Sequence, residues 1–152
     1  MQARILAAGL CLAATLSLAA CSSRHIPACS VDSLAKVEKQ DVLWLPPGVN
    51  PTDCGQVDDG QGGAYLSFTG SRGDVDRFLT ASGLPAASAD HDDLQRDVAR
   101  DRGWSIADVD EFTPGLVGAS GDLTNIARGF ELTVDERDPA RAIVYYYSFL
   151  NG

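Results

Sequence analysis

Two spacings of apolar residues recur along this chain, and each predicts an element. Over residues 64–69, Ala64, Leu66 and Phe68 hold one parity while Tyr65, Ser67 and Thr69 hold the other. A period of two predicts a half-buried strand, because successive side chains of an extended chain point to opposite faces. Ser71 and Asp74 follow, three residues apart, ahead of Val75, Phe78 and Leu79. The hydroxyl and the carboxylate can each accept from the other's backbone N–H, and the i, i+3, i+4 spacing forms one helical stripe. The pattern predicts a capped helix stopped at Gly83. Alternation returns at the end of the chain. Phe130, Leu132 and Val134 oppose Glu131, Thr133 and Asp135, and Ile143, Tyr145, Tyr147 and Phe149 share one face of a last strand. The polar residues 136–140 are short enough to join these two strands as a hairpin.

Weaker patterns fill the intervals. Ser30 can cap a helix running through Lys39 with Leu34 and Val37 on one side. Val42-Leu43-Trp44-Leu45, ended by Pro46-Pro47-Gly48, reads as a short strand and turn, and residues 50–63, rich in Gly, Asp and Pro, read as a loop. Residues 92–102 predict a solvated helix, with Asp92–Arg96 and Asp97–Arg100 at pairing distance. Another turn carries Ile106, Val109 and Phe112 before Pro114-Gly115 breaks it. One-sided strands with helices inserted between them predict an α+β fold, a small antiparallel or mixed sheet with two or three helices on one face.

The opening segment follows neither spacing. After Arg4, residues 5–20 form an apolar run of 16 residues that ends in small ones. As a helix it would reach about 24 Å, short of the roughly 30 Å that a membrane span needs. A charged start, an apolar run and small residues at a cut point describe a secretory signal. The ending Leu18-Ala19-Ala20-Cys21 resembles the lipobox of bacterial lipoproteins. The resemblance implies a diacylglycerol on the Cys21 thiol, removal of residues 1–20, a lipidated tether at 21–28 and a single globular domain at 29–152. The Ala-, Arg- and Asp-rich body resembles, in composition only, small uncharacterised lipoproteins of high-GC bacteria. That likeness carries no active residues over.

Removing residues 1–20 from the 152 leaves 132, enough for one domain with its own core. Arg4 is the only charge removed, so the net charge moves from −9 to −10. An acidic body argues against nucleic acid, whose affinity rests on Lys and Arg at phosphates, and against lying on an anionic lipid surface. The expected membrane contact is therefore the lipid on Cys21, each buried methylene contributing about 0.8 kcal/mol. Cys11 leaves with the signal, and Cys29 and Cys54 remain as an even pair in an oxidising compartment. A disulfide is expected, closing a loop of about 26 residues for roughly 3.5 kcal/mol on the chain-entropy account.

Candidate chemistry is sparse. Ser33-Leu34-Ala35-Lys36 matches the S-x-x-K of acylating serine enzymes, but no K-T-G or S-D-N partner element exists. Gly118-Ala119-Ser120-Gly121 approaches G-x-S-x-G, but Asp122 replaces the final glycine and no histidine follows; a glycine-rich loop is expected. Asp90 and Asp92 around His91, and Asp58 and Asp59 beside Asp53, are weak candidates for a divalent cation. For Asp90 and Asp92, the start of a helix is the competing explanation. Trp44, Trp104 and Tyr145 are expected in the core. Tyr146 lies on the opposite parity to Tyr147, so an uncovered second face would make it an aromatic partner contact. No cofactor is expected. The residues favour a non-enzymatic binding or interaction module, with an envelope enzyme or accessory using acidic residues, or a structural envelope lipoprotein, as the alternatives.

Overall fold

The computed structural model describes residues 29–57, 62–89, 96–110, 113–123 and 127–150. They form one five-stranded antiparallel sheet with three helices, an α+β arrangement. The strands are β1 (Pro51–Gln56), β2 (Ala64–Gly70), β3 (Leu116–Asp122), β4 (Arg128–Asp135) and β5 (Ala142–Leu150), in the spatial order β1-β2-β5-β4-β3. The last strand is therefore the central one. Leu66 and Leu132 both pair with Tyr146, and Phe68 and Val134 both pair with Val144. These rows lie on one face and carry the main core.

α1 (Val31–Asp41) and α2 (Arg72–Ala81) cover that face. Ser30 caps α1 by accepting from the Ser33 N–H at 3.0 Å. Leu34, Val37 and Asp41 follow at helical spacing, so the stripe that buries Val37 buries Asp41 as well. α2 carries the expected capping box, with Ser71 and Asp74 each accepting from the other's backbone N–H. Val75, Phe78 and Leu79 are buried, and Phe78 meets Phe68 edge-on at 5.1 Å. α3 (Arg96–Arg102) lies on the other face, where Ala99, Trp104 and Ile106 pack on Tyr65 and Tyr145. Two helices thus share a face and the third covers part of the reverse.

Each helix ends in a left-handed residue. Behind α2 and α3 this is Gly83 (φ 67°) and Gly103 (φ 67°), and behind α1 it is Val42 (φ 57°). The Leu84, Trp104 and Leu43 N–H groups then bond back to Leu79, Ala99 and Glu38 at 2.8–3.0 Å. Glycine reaches this conformation freely, whereas a β-branched residue is strained there.

Several sequence expectations are corrected. Residues 42–45 are not a strand; the chain runs out of α1 without ladder pairing and leaves Trp44 42% exposed rather than in the core. Inside the expected loop 50–63 lies β1, whose Cys54 is joined to Cys29 as expected and so ties the start of α1 to the sheet edge. The expected glycine-rich loop at 118–121 is part of β3, drawn into the ladder by pairing of Gly118 with Thr133 and Ser120 with Glu131. Finally, Ile143, Tyr145 and Tyr147 lie on the reverse face, not on the main core face of β5. Both parities of β5 are apolar, so register rather than alternation decides its orientation.

Candidate functional site

Each face of the sheet holds a polar cluster, and the two have different access to water. On the core face, Asp41 has a side chain wholly removed from solvent. The Tyr146 hydroxyl donates to its Oδ2 at 3.1 Å. Arg128 Nε lies 3.1 Å from its Oδ1, but the N–H is not aimed along that line, and neither atom gains a well-formed hydrogen bond. Arg128 Nη2 donates to the Gly62 carbonyl, which also accepts from Gln40 Nε2 at 2.7 Å. Burial raises the Asp41 pKa against hydrogen bonds from Ser148 and Tyr146 and the charge of Arg128. Burial, helped by the neighbouring Asp41, likewise pushes the Tyr146 phenol far above its usual range. The cluster links α1 to β4 and β5.

Tyr146 is itself a correction. The partner contact expected of it cannot form, because α1 covers its face and leaves the ring fully buried against Phe130, 6.2 Å away. A cleft of about 320 Å³ beside the cluster is walled by Val42, Leu84, Leu123 and Phe130.

On the reverse face the cluster is open. Asp53, on β1, accepts from Arg102 Nε at 3.0 Å, from Arg102 Nη2 at 2.8 Å and from Trp104 Nε1 at 3.1 Å. The Arg102 guanidinium also stacks 3.8 Å above the centre of the Tyr65 ring. Burial opposes its charge, but the hydrogen bonds and charge of Asp53 outweigh burial and hold Arg102 more firmly protonated. Tyr145 and Ser105 share a hydrogen bond of 2.7 Å, and Thr52 and Ser67 share one of 2.6 Å. Burial raises the pKa of Tyr145, so its phenol stays neutral.

Apart from Tyr65, which lies beneath Arg102, these groups line a groove of about 440 Å³ across β1, β2 and β5. Through Ser105 and Ile143 it adjoins a second depression of about 400 Å³, bordered by Asp135, Arg137 and Arg141. Asp135 accepts from Arg137 Nε at 2.8 Å, Nη2 at 2.6 Å and the backbone N–H at 3.1 Å. Those bonds hold its pKa below the usual carboxylate range. Arg141 donates to Asp138 at 3.0 Å.

Of the residues singled out in the sequence, Cys21, Asp58, Asp59, Asp90 and Asp92 lie outside the described residues. Among the described residues, no group of three or more His, Cys, Asp or Glu side chains is placed to hold a metal ion. Ser33 hydrogen-bonds Ser30 at 2.8 Å at the start of α1, and Lys36 is exposed, so the S-x-x-K match falls on an ordinary helix entry. Sequence reasoning placed Asp53 in a loop and missed its partner Arg102. The one available signal was an arginine just before Gly103 and Trp104, and nothing local links it to a residue 49 positions away. Comparison with known proteins finds no matching family model, no similar curated protein and no similar solved structure.

Proposed function

We propose that the chain is an exported binding module, anchored to the cell envelope by lipid on Cys21, that engages its partner through the groove on the reverse face of the sheet. The observation that carries this reading is the state of the groove's charges. Asp53 is paired with Arg102 in the groove, and Asp135 and Asp138 with Arg137 and Arg141 in the depression that adjoins it. A site built this way presents fixed donors and acceptors for recognition. General acid–base chemistry instead asks for a group poised near the working pH and within reach of a reacting proton. Two features support the anchoring part: the lipobox-like residues 18–21, and an acidic body that gives an anionic membrane little reason to hold it.

Crosslinking and mass spectrometry on intact cells tests the reading. The expected result is reproducible crosslinks from the groove side of the domain, lost in a Thr69→Glu variant that places an unpaired charge there. A groove that gives no reproducible crosslink and takes up no ligand counts against it. The anchor is tested separately: Cys21→Ala should move the domain to the soluble fraction still folded. Retention of that variant in the membrane would mean that another element holds it.

A further inference from the structure

We infer that the groove takes a neutral, polyhydroxylated ligand, a short saccharide; this deepens the binding-module reading and rests on it. Three observations converge. The first is charge: the body carries a strong net negative charge, yet the groove is balanced, each of its three carboxylates facing a guanidinium. An ionic ligand would meet guanidinium and carboxylate groups that already neutralise one another, whereas an uncharged one needs no free charge.

The second is hydrogen-bonding capacity. Arg102 and Arg137 each commit Nε and Nη2 to a carboxylate. A guanidinium carries five N–H donors, so each pair presents further donors beyond its carboxylate. Thr69, Ser105 and Tyr145 bring hydroxyls to the same surface; the Ser105–Tyr145 bond occupies one hydrogen and leaves the other, with the remaining lone pairs and the Thr69 hydroxyl, to a ligand. Half-buried Ile143 adds an apolar floor suited to the C–H face of a sugar ring. The two depressions are shallow and adjoin each other, a shape that seats a row of rings on the sheet face rather than enclosing one small molecule.

The third observation favours a saccharide over a strand-pairing peptide. One common peptide mode pairs the peptide backbone with an exposed strand edge. The groove lies on a sheet face; β2 and β5 beneath it are paired on both sides, and the open edge of the sheet at β1 lies at its margin. Over β2 and β5 a ligand meets side chains, and their polar groups match hydroxyls.

Calorimetry on the intact purified protein, with soluble oligomers of glucose, galactose, mannose, arabinose and N-acetylglucosamine at up to about 10 mM, reveals even millimolar affinity. The expected result is saturable heat with at least one oligomer, together with slowed hydrogen exchange over residues 102–105. Thr69→Glu and Arg141→Gln, at half-buried and exposed positions, should each weaken binding about tenfold, with thermal melting showing that both variants fold. No heat with any oligomer, or heat that neither variant changes, overturns the proposal. Preferential binding of inorganic phosphate or of a neutral tetrapeptide overturns it too. Crosslinks from the groove to an envelope protein, with no saccharide heat, overturn the saccharide and keep the groove as a contact surface. A groove silent in both experiments overturns both readings.

Discussion

Two carboxylate–guanidinium pairs sit on opposite faces of one sheet and respond to their surroundings in opposite directions. Asp41 and Arg128 approach to 3.1 Å on the core face, and Asp135 and Arg137 to 2.6 Å on the groove face. Burial raises the pKa of Asp41, whereas the hydrogen bonds of Arg137 lower that of Asp135. Water and alignment account for the difference. The Asp41 side chain is wholly enclosed, and its arginine contact lacks an aimed N–H. Asp135 receives three aimed N–H groups from a residue whose side chain is 37% exposed. Charge pairing at similar distance thus helps or strains an ionised carboxylate according to how completely its lost hydration is replaced.

The largest expected effect separates the faces by stability. Asp41→Ala strands Arg128 as a buried, unpaired charge and should cost about 3–5 kcal/mol in urea unfolding. Asp135→Ala frees an arginine that can reach water and should cost about 1 kcal/mol. Equal losses would break the comparison. Next in size, Tyr146→Phe removes the donor to Asp41 Oδ2 and should cost about 1–3 kcal/mol, because the oxygen it leaves behind is buried.

The pH dependence should also differ in sign. Asp41 has a folded pKa above its ordinary 3.8, so between the two values the folded state binds more protons than the unfolded. The stability it contributes is complete below about 3.8 and is lost as pH rises through the raised value. Asp135 has a folded pKa below 3.8, so its contribution is complete above that value and is lost as pH falls through the lowered one. Unfolding measured across a pH series should show Asp41→Asn flattening the slope on the neutral side of 3.8 and Asp135→Asn flattening it on the acid side. Neither change can exceed about 1.4 kcal/mol per pH unit.

The smallest effect is at the residue after Asp41. Val42→Gly should stabilise by about 0.5–1 kcal/mol, since the left-handed turn ending α1 is one that glycine makes freely at Gly83 and Gly103. A loss of stability in that variant would mean that the exposed Val42 side chain contributes more to the neighbouring cleft than its conformation costs.

Legibility in the sequence followed the range of the interaction. The α2 capping box spans Ser71 to Asp74, and the alternation of β2 and β4 needs only neighbouring residues, so both were readable. The groove was not. Asp53 meets Arg102 across 49 positions, and Tyr146 meets Asp41 across 105. β1 and β3 carry too many glycines, polar residues and turn formers to announce themselves, and become strands because β2 and β4 lie alongside to pair with them.

By itself the sequence determined the class of fold, the best helix with both its ends, and the pairing of Cys29 with Cys54. Those follow from local backbone hydrogen bonding, from periodicity and from a count of two cysteines. Tertiary structure alone decided that the last strand is central, that Tyr146 faces inward and that three arginines neutralise three carboxylates on the reverse face. The physical reason is register. Where both parities of a strand are apolar, as in β5, only its neighbours on either side settle which face meets the core. Once Leu66 and Leu132 flank Tyr146, the opposite face and its polar groove are set as well.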